Sequence, residues 1–304
     1  MSKLKIPGIL FLITISTNLF STKLENIFGS FDPSYNMLGQ IGLLQTPTAE
    51  NIGAGAFHIS YIQNDIYKYG ALTISPYDWL EASYFYYRPT DLWWYGPGTE
   101  GLYLDKGFNV KFSRKINDNI SIAAGLDDFA GTGYFTREYL ALTNRIYGLK
   151  LNLGIGWGAF SEENPISNPL GFLADEFKKR PGRDSSYAQG GSPSFDQWFR
   201  GDAGLFYGLE YQLPTRKKVS IKIENDPFDY MNGFSSTGGY KGQIESLRKK
   251  DSNLNYGIAF QFSKNLFINI SYLKGNTLNL SISFGADFSK SFFNKKVPRP
   301  KFAS

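Results

Sequence analysis

Cysteine is missing from all 304 residues. That excludes disulfides, thiolate zinc sites, cysteine nucleophiles and a lipid attached through sulfur. Histidine occurs once, at His58, so a metal centre built on several imidazoles is excluded as well. Charged residues make up only 19% of the chain, and after the first twenty or so positions no apolar run approaches the ~20 residues of a membrane-spanning helix. The formal net charge of +5 is no nucleic-acid footprint: Lys290, Lys295, Lys296, Arg299 and Lys301 crowd into an acid-free tail, with no basic helix or RNA-binding aromatic motif beside them.

What the chain has in quantity is 26 Phe, 20 Tyr and 32 Gly, a profile that suits many β-strands joined by glycine turns. At the N-terminus, Lys3 and Lys5 precede an apolar run from Ile6 to about Phe20. This reads as a secretory signal peptide, 1–22, cleaved near Ser21 to Lys23, with a retained anchor as the alternative.

Two-residue alternation dominates the rest. Leu149, Leu151, Leu153, Ile155 and Trp157 alternate with Lys150, Asn152, Gly154 and Gly156; Leu278, Leu280, Ile282 and Phe284 alternate with Asn279, Ser281 and Ser283. A helix, with its period of 3.6, does not produce this. Between turn signals the pattern predicts twelve strands, at about 54–63, 67–75, 78–87, 104–114, 119–128, 134–143, 147–160, 202–213, 218–226, 253–263, 266–274 and 278–288. Most run to the ~9–11 residues that a tilted strand needs to cross a bilayer. Two of them, 67–75 and 134–143, have no clear face assignment.

Every link after an even-numbered strand is short, and every long link, at about 88–103, 161–201 and 227–252, follows an odd one. That parity predicts an all-β, antiparallel, up-and-down transmembrane β-barrel of about twelve strands in an outer membrane, tight turns in the periplasm and long loops outside. Closure removes the strand edges that lipid cannot satisfy. On the first strand Phe57, Ile59 and Tyr61 would face lipid, with Ala56, His58 and Ser60 lining the lumen. The expected organisation is a signal peptide at 1–22, a periplasmic lead-in at 23–52, the barrel at 53–288 and a basic tail at 289–304. The rival is a soluble sandwich or jelly roll whose apolar rows face a core.

"GQIGLLQTPTA", "LDKGFNVKFSR", "AAGLDDFAGTGYFTREYLALTN", "LGIGWGAF" and "WFRGDAGLFYGLEYQLP", in that order, resemble the YjbH/GfcD family of outer-membrane proteins, from about Gly39 to Phe288. The resemblance implies a role in exopolysaccharide and group 4 capsule production. Typical members are longer, with a further domain and a second barrel-like region, and some are lipoproteins. This chain therefore resembles the N-terminal barrel of the family.

Strand parity points Glu81, Lys111, Asp127, Lys150, Glu210, Lys222 and Glu224 into the lumen. They either form a structural ion-pair network or meet a hydrated polymer. Arg200, in "WFRG", either fastens the long loop to an acidic lumen residue or touches a sugar acid. Trp93 and Trp94, in an outer loop, suit sugar rings or a membrane-interface belt. The segment "SNPLGFLADEFKKRPG" carries helix punctuation, with Ser167 or Asn168 as cap and Pro169 in the first turn; such a helix would fold over the barrel, plug it or cap loop backbone. "DDFAGTGYF" lacks the lysine and helix of a phosphate loop and reads as a tight hairpin, with unusual backbone angles at Gly131 and Gly133.

No catalytic residue, metal ligand or cofactor is expected, since no nucleophile, base and orienting acid occur together. A hydrolase using His58 is the remaining enzymatic reading. The expected partners are outer-membrane lipid, a polysaccharide and other polysaccharide-export proteins, and no nucleic acid. The alternative function is a small diffusion porin or structural barrel.

Overall fold

The computed structural model describes residues 34–91, 104–131, 133, 135–182, 193–214, 218–230 and 245–288. The expected signal peptide, Trp93 and Trp94, the lead-in as far as residue 33 and the basic tail lie outside these residues.

Twelve strands form one closed antiparallel barrel: β1 Ala56–Asn64, β2 Tyr67–Tyr77, β3 Leu80–Pro89, β4 Asp105–Lys115, β5 Ile120–Asp127, β6 Arg137–Ile146, β7 Leu149–Gly158, β8 Gly204–Gln212, β9 Lys218–Asn225, β10 Leu254–Gln261, β11 Leu266–Leu273 and β12 Thr277–Asp287. Each strand pairs with its sequence neighbours, and β1 closes the ring on β12, with Ala56 opposite Asp287 and Asn64 opposite Asn279. Closure leaves no unpaired edge, which is what a hydrocarbon surrounding demands. The links after even strands, at 78–79, 116–119, 147–148, 213–217 and 262–265, are all short; those at 90–104, 159–203 and 226–253 are long.

The face assignment is inside-out relative to a soluble sandwich. On β1 the His58 side is fully buried, while Ile59 is 54% exposed. Leu72, Leu140, Leu153, Ile258 and Ile282 likewise stand on the outer surface. Outer tyrosines gather toward the loop end, at Tyr61, Tyr86, Tyr256 and Tyr272, and Tyr77, Trp79 and Phe112 stack near the turn end. Two aromatic girdles around an apolar band are the surface of a transmembrane barrel.

The two strands without a clear face have a physical explanation. Tyr67 and Tyr69 of β2 and Tyr139 of β6 are bulky residues turned inward and fully buried, so both faces of these strands look apolar in sequence. The long-loop segment expected as one helix forms two separate 3-10 turns, Pro169–Phe172 and Asp175–Lys178. Asn168 does cap the first, accepting from the Leu170 amide at 2.9 Å. Phe172 and Leu173 are exposed, so these turns do not plug the barrel. The 128–136 link is longer than a tight hairpin: Gly133 has the expected positive φ of 92°, whereas Gly131 is required by the close approach of the Asp128 carboxylate.

Candidate functional site

The barrel is not hollow. Every residue from Ser34 to Glu50 is buried, and their partners lie on the inner wall. The segment expected as a periplasmic lead-in therefore fills the lumen over its described part, which corrects that expectation. Tyr35 starts near the turn end, its ring 4.1 Å from that of His58 and 5.0 Å from Phe267. The chain climbs to Met37, whose sulfur meets Asn64 at the loop end of β1, and then folds back down. It holds its own shape through short bridges between Tyr35 and Ile41 and between Gly42 and Pro47.

A peptide with so little regular pairing leaves many backbone groups unsatisfied, and inside a barrel each would cost a hydrogen bond. The wall supplies them. Glu224 accepts from the amides of Leu44, Gln45 and Thr46 at 3.0, 2.7 and 3.2 Å. Lys222 Nζ donates to the Leu43 carbonyl at 2.8 Å, and Lys111 Nζ to that of Ile41 at 3.0 Å. Glu81 accepts from the Ile41 amide and pairs with Lys111 at 3.0 Å. Asp127 accepts from Gln40 Nε2 and from Arg137 Nε, both at 2.6 Å. Asn152 donates to the Pro47 carbonyl, and the Ala49 amide donates to Thr143 Oγ1. The Gly39 carbonyl, at a residue with φ 74°, accepts from His58 Nε2 and Thr73 Oγ1.

At the turn end Glu50 pairs with Lys150 at 3.0 Å and with Arg145. Lys150 also holds Glu210 at 2.8 Å. Burial pushes the Glu50 carboxyl up, but the Lys150 and Arg145 charges more than offset this and hold it at about 2. Glu81 with Lys111, Asp127 with Arg137, and Glu50 and Glu210 with Lys150 match charge to charge: an isolated buried ion would be prohibitive, and breaking one such pair costs about 3–5 kcal/mol.

The loop end is closed by an aromatic layer in which Tyr69, Phe85, Tyr87 and Phe135 pack with Met37, Leu38 and Leu44 of the inner segment. Above it, Arg248 grips Asp91 through two hydrogen bonds at 2.6 and 2.5 Å and donates to the Tyr230 carbonyl. Among the described residues, a cavity of about 50 Å³ is bordered by Ser34, Tyr35, Lys222 and Phe267. That admits water and not a sugar ring.

All seven charges assigned to the lumen, Glu81, Lys111, Asp127, Lys150, Glu210, Lys222 and Glu224, are buried there, and the inner segment or its ion pairs occupy them. Arg200 is half-buried. Among the described residues, the long loop is tied to the barrel by Arg180, which pairs at 2.6 and 3.0 Å with Glu138, a carboxylate on the outward side of β6 at its loop end. The sequence pattern missed Arg137, Glu138, the Asp91–Arg248 pair and the whole of 34–50. A signal was there: seven inward charges in a narrow lumen need partners, and "NMLGQIGLLQTPTAE" ahead of β1 supplies them.

The chain matches the family described as exopolysaccharide biosynthesis protein YbjH over residues 34–303, so the inner segment belongs to the matched region. It is 30% identical over 267 residues to the uncharacterized lipoprotein YjbH of Escherichia coli K12, covering 84% of this chain and 36% of that protein. It thus spans about a third of that relative's length. Among solved structures it is similar to the KdgM porin, with a TM-score of 0.38, 10% identity and coverage of 77% of this chain and 99% of that one. An outer membrane channel from Pseudomonas putida F1 gives a TM-score of 0.39 at 10% identity, covering 80% and 100%.

Proposed function

The chain belongs to the YjbH family of exopolysaccharide biosynthesis proteins, and on that premise we propose that it is a Gram-negative outer-membrane barrel assisting the export or surface assembly of an exopolysaccharide, without catalysis. Its short turns face the periplasm and its long loops the cell exterior, as in barrels of this kind.

The observation that carries this reading over the diffusion porin is the occupied lumen. A porin needs a continuous water-filled channel, whereas here 34–50 is buried in the bore and hydrogen-bonded to its wall. Inner-wall charges that would line a porin's channel are bound to peptide. Polysaccharide, and partner proteins that act with this barrel in export, are its proposed associates. The reading is non-catalytic because His58 is buried against Gly39 and Tyr35, and the hydroxyl of Ser60, two positions on, is hydrogen-bonded to Ser283 at 2.7 Å.

Two measurements test it. Deleting the gene should lower secreted or surface polysaccharide, and unchanged material removes the polysaccharide role. In planar bilayers the purified protein should be electrically closed; a steady, weakly selective conductance would restore the porin.

A further inference from the structure

The outer wall carries a built seat of its own. Across β4 to β8 the register aligns one outward row, Phe112, Ala124, Leu140, Ile155 and Leu205. Beside it runs a second, Arg114, Ile122, Leu142 and Leu153. Between the rows the floor is the backbone of Ser113, Ala123, Ala141 and Gly154, whose own positions face the lumen. In the first row Ala124 is the one short side chain, flanked by Phe112 and Leu140. The result is an apolar hollow of about 720 Å³ on the lipid-facing surface, with Trp79 at its border.

The hollow has a direction. Arg114 is the penultimate residue of β4, at the turn end, and Leu205 is the second residue of β8, at the loop end. Four strand-to-strand steps separate them, about 19 Å at the usual spacing. That is the length of one long acyl chain. A depression on a lipid-facing surface is filled by an acyl chain, which supplies the dispersion contacts its lining would otherwise forgo.

The turn-end rim sets the headgroup. Arg114 is exposed on the outward face, followed by Lys115, and Tyr77, Trp79 and Phe112 stack beside them. A guanidinium among interfacial aromatics is placed to hold a phosphate. We propose that this hollow binds one anionic glycerophospholipid of the periplasmic leaflet, its acyl chain lying between the two rows and its phosphate on Arg114. The choice of leaflet rests on the turn-end-inward orientation given under the proposed function; the binding itself does not depend on any polysaccharide.

The test uses the full chain in mild detergent, titrated with phosphatidylglycerol, phosphatidylcholine or lipopolysaccharide and read by native mass spectrometry. The wild type should retain one phosphatidylglycerol, about fivefold tighter than phosphatidylcholine, the worth of one basic residue at a lipid surface. Ala124→Phe, which fills the hollow, should lose the retained lipid of either headgroup. Arg114→Gln should keep chain binding and erase the headgroup preference. Both positions face outward, and heat-modifiable migration on gels confirms that each variant remains a barrel. Equal retention by all three proteins overturns the site, and tighter binding of lipopolysaccharide than of phosphatidylglycerol overturns its leaflet. Neither result bears on the polysaccharide phenotype, so the two proposals fail separately.

Discussion

Lys222 and Glu224 stand two positions apart on the inward face of β9 and hold opposite poles of the same inner turn. The Lys222 ammonium caps the Leu43 carbonyl at 2.8 Å, while the Glu224 carboxylate gathers the next three amides, Leu44 to Thr46. A cation and an anion on one strand thereby do for 34–50 what a neighbouring strand does in a sheet.

Glu224→Ala should leave those three amides without an acceptor. The expected loss is several kcal/mol, since each buried donor left without its acceptor costs about 1–3 kcal/mol. Hydrogen exchange at 44–46 should accelerate by orders of magnitude while exchange in the outer strands stays slow. Unaltered protection at these amides would mean that the wall does not hold the segment.

Gly42 is a tight point within the inner segment itself. A Cβ there would lie 2.5 Å from the Thr46 carbonyl oxygen and 2.8 Å from Asn36 Cβ, and backbone cannot yield as a flexible side chain can. Gly42→Ala should destabilise the segment by about 1–3 kcal/mol, the usual cost of overpacking. In bilayers this should appear as intermittent conductance that the wild type lacks; a variant as silent as the wild type would contradict it.

Leu153 lies on the outer face and is 53% exposed. In water, replacing an exposed leucine by arginine would cost little. On a lipid-facing strand Leu153→Arg should cost about 2–4 kcal/mol near the midplane, measured by reversible unfolding in vesicles. Neutrality there would return the apolar rows to a soluble protein's surface.

Glu50 precedes β1, outside the spanning strands, and its folded pKa of about 2 lies below the ordinary 4.5. A depressed carboxylate contributes its full stability above 4.5 and loses it as the pH falls through about 2. The Lys150–Glu50–Arg145 anchor should therefore stay intact from neutrality to about pH 5 and weaken only in stronger acid. Exchange at Ala49, followed against pH in wild type and Glu50→Gln, checks this: the acid-dependent step should vanish in the variant. A wild-type step near pH 6 would identify another group as the anchor.

Much of the barrel was legible because its information is local. Whether Ile59 faces out and Ser60 in follows from a period of two, and the pairing of long loops with odd strands follows from where turn residues fall. The site was half legible: parity placed Lys111 and Glu224 inward, yet gave no indication of what they touch. Arg137 and Tyr139 escaped because they lie on a strand whose inward residues are as bulky as its outward ones. The motif drew attention to Arg200, while Arg180, elsewhere in the same loop, makes the ion pair to Glu138 that no pattern pointed to.

The sequence by itself determined the number of strands, their alternation and the side each link falls on, since these depend only on neighbours a few positions apart. Tertiary structure alone decided that the bore is filled. Residues 34–50 have no period of their own, and the wall groups that satisfy their backbone lie 19 to 180 positions away. Such partners exist for a short peptide only after twelve strands have closed around it, because only closure brings Glu81, Asp127 and Glu224 to face one axis.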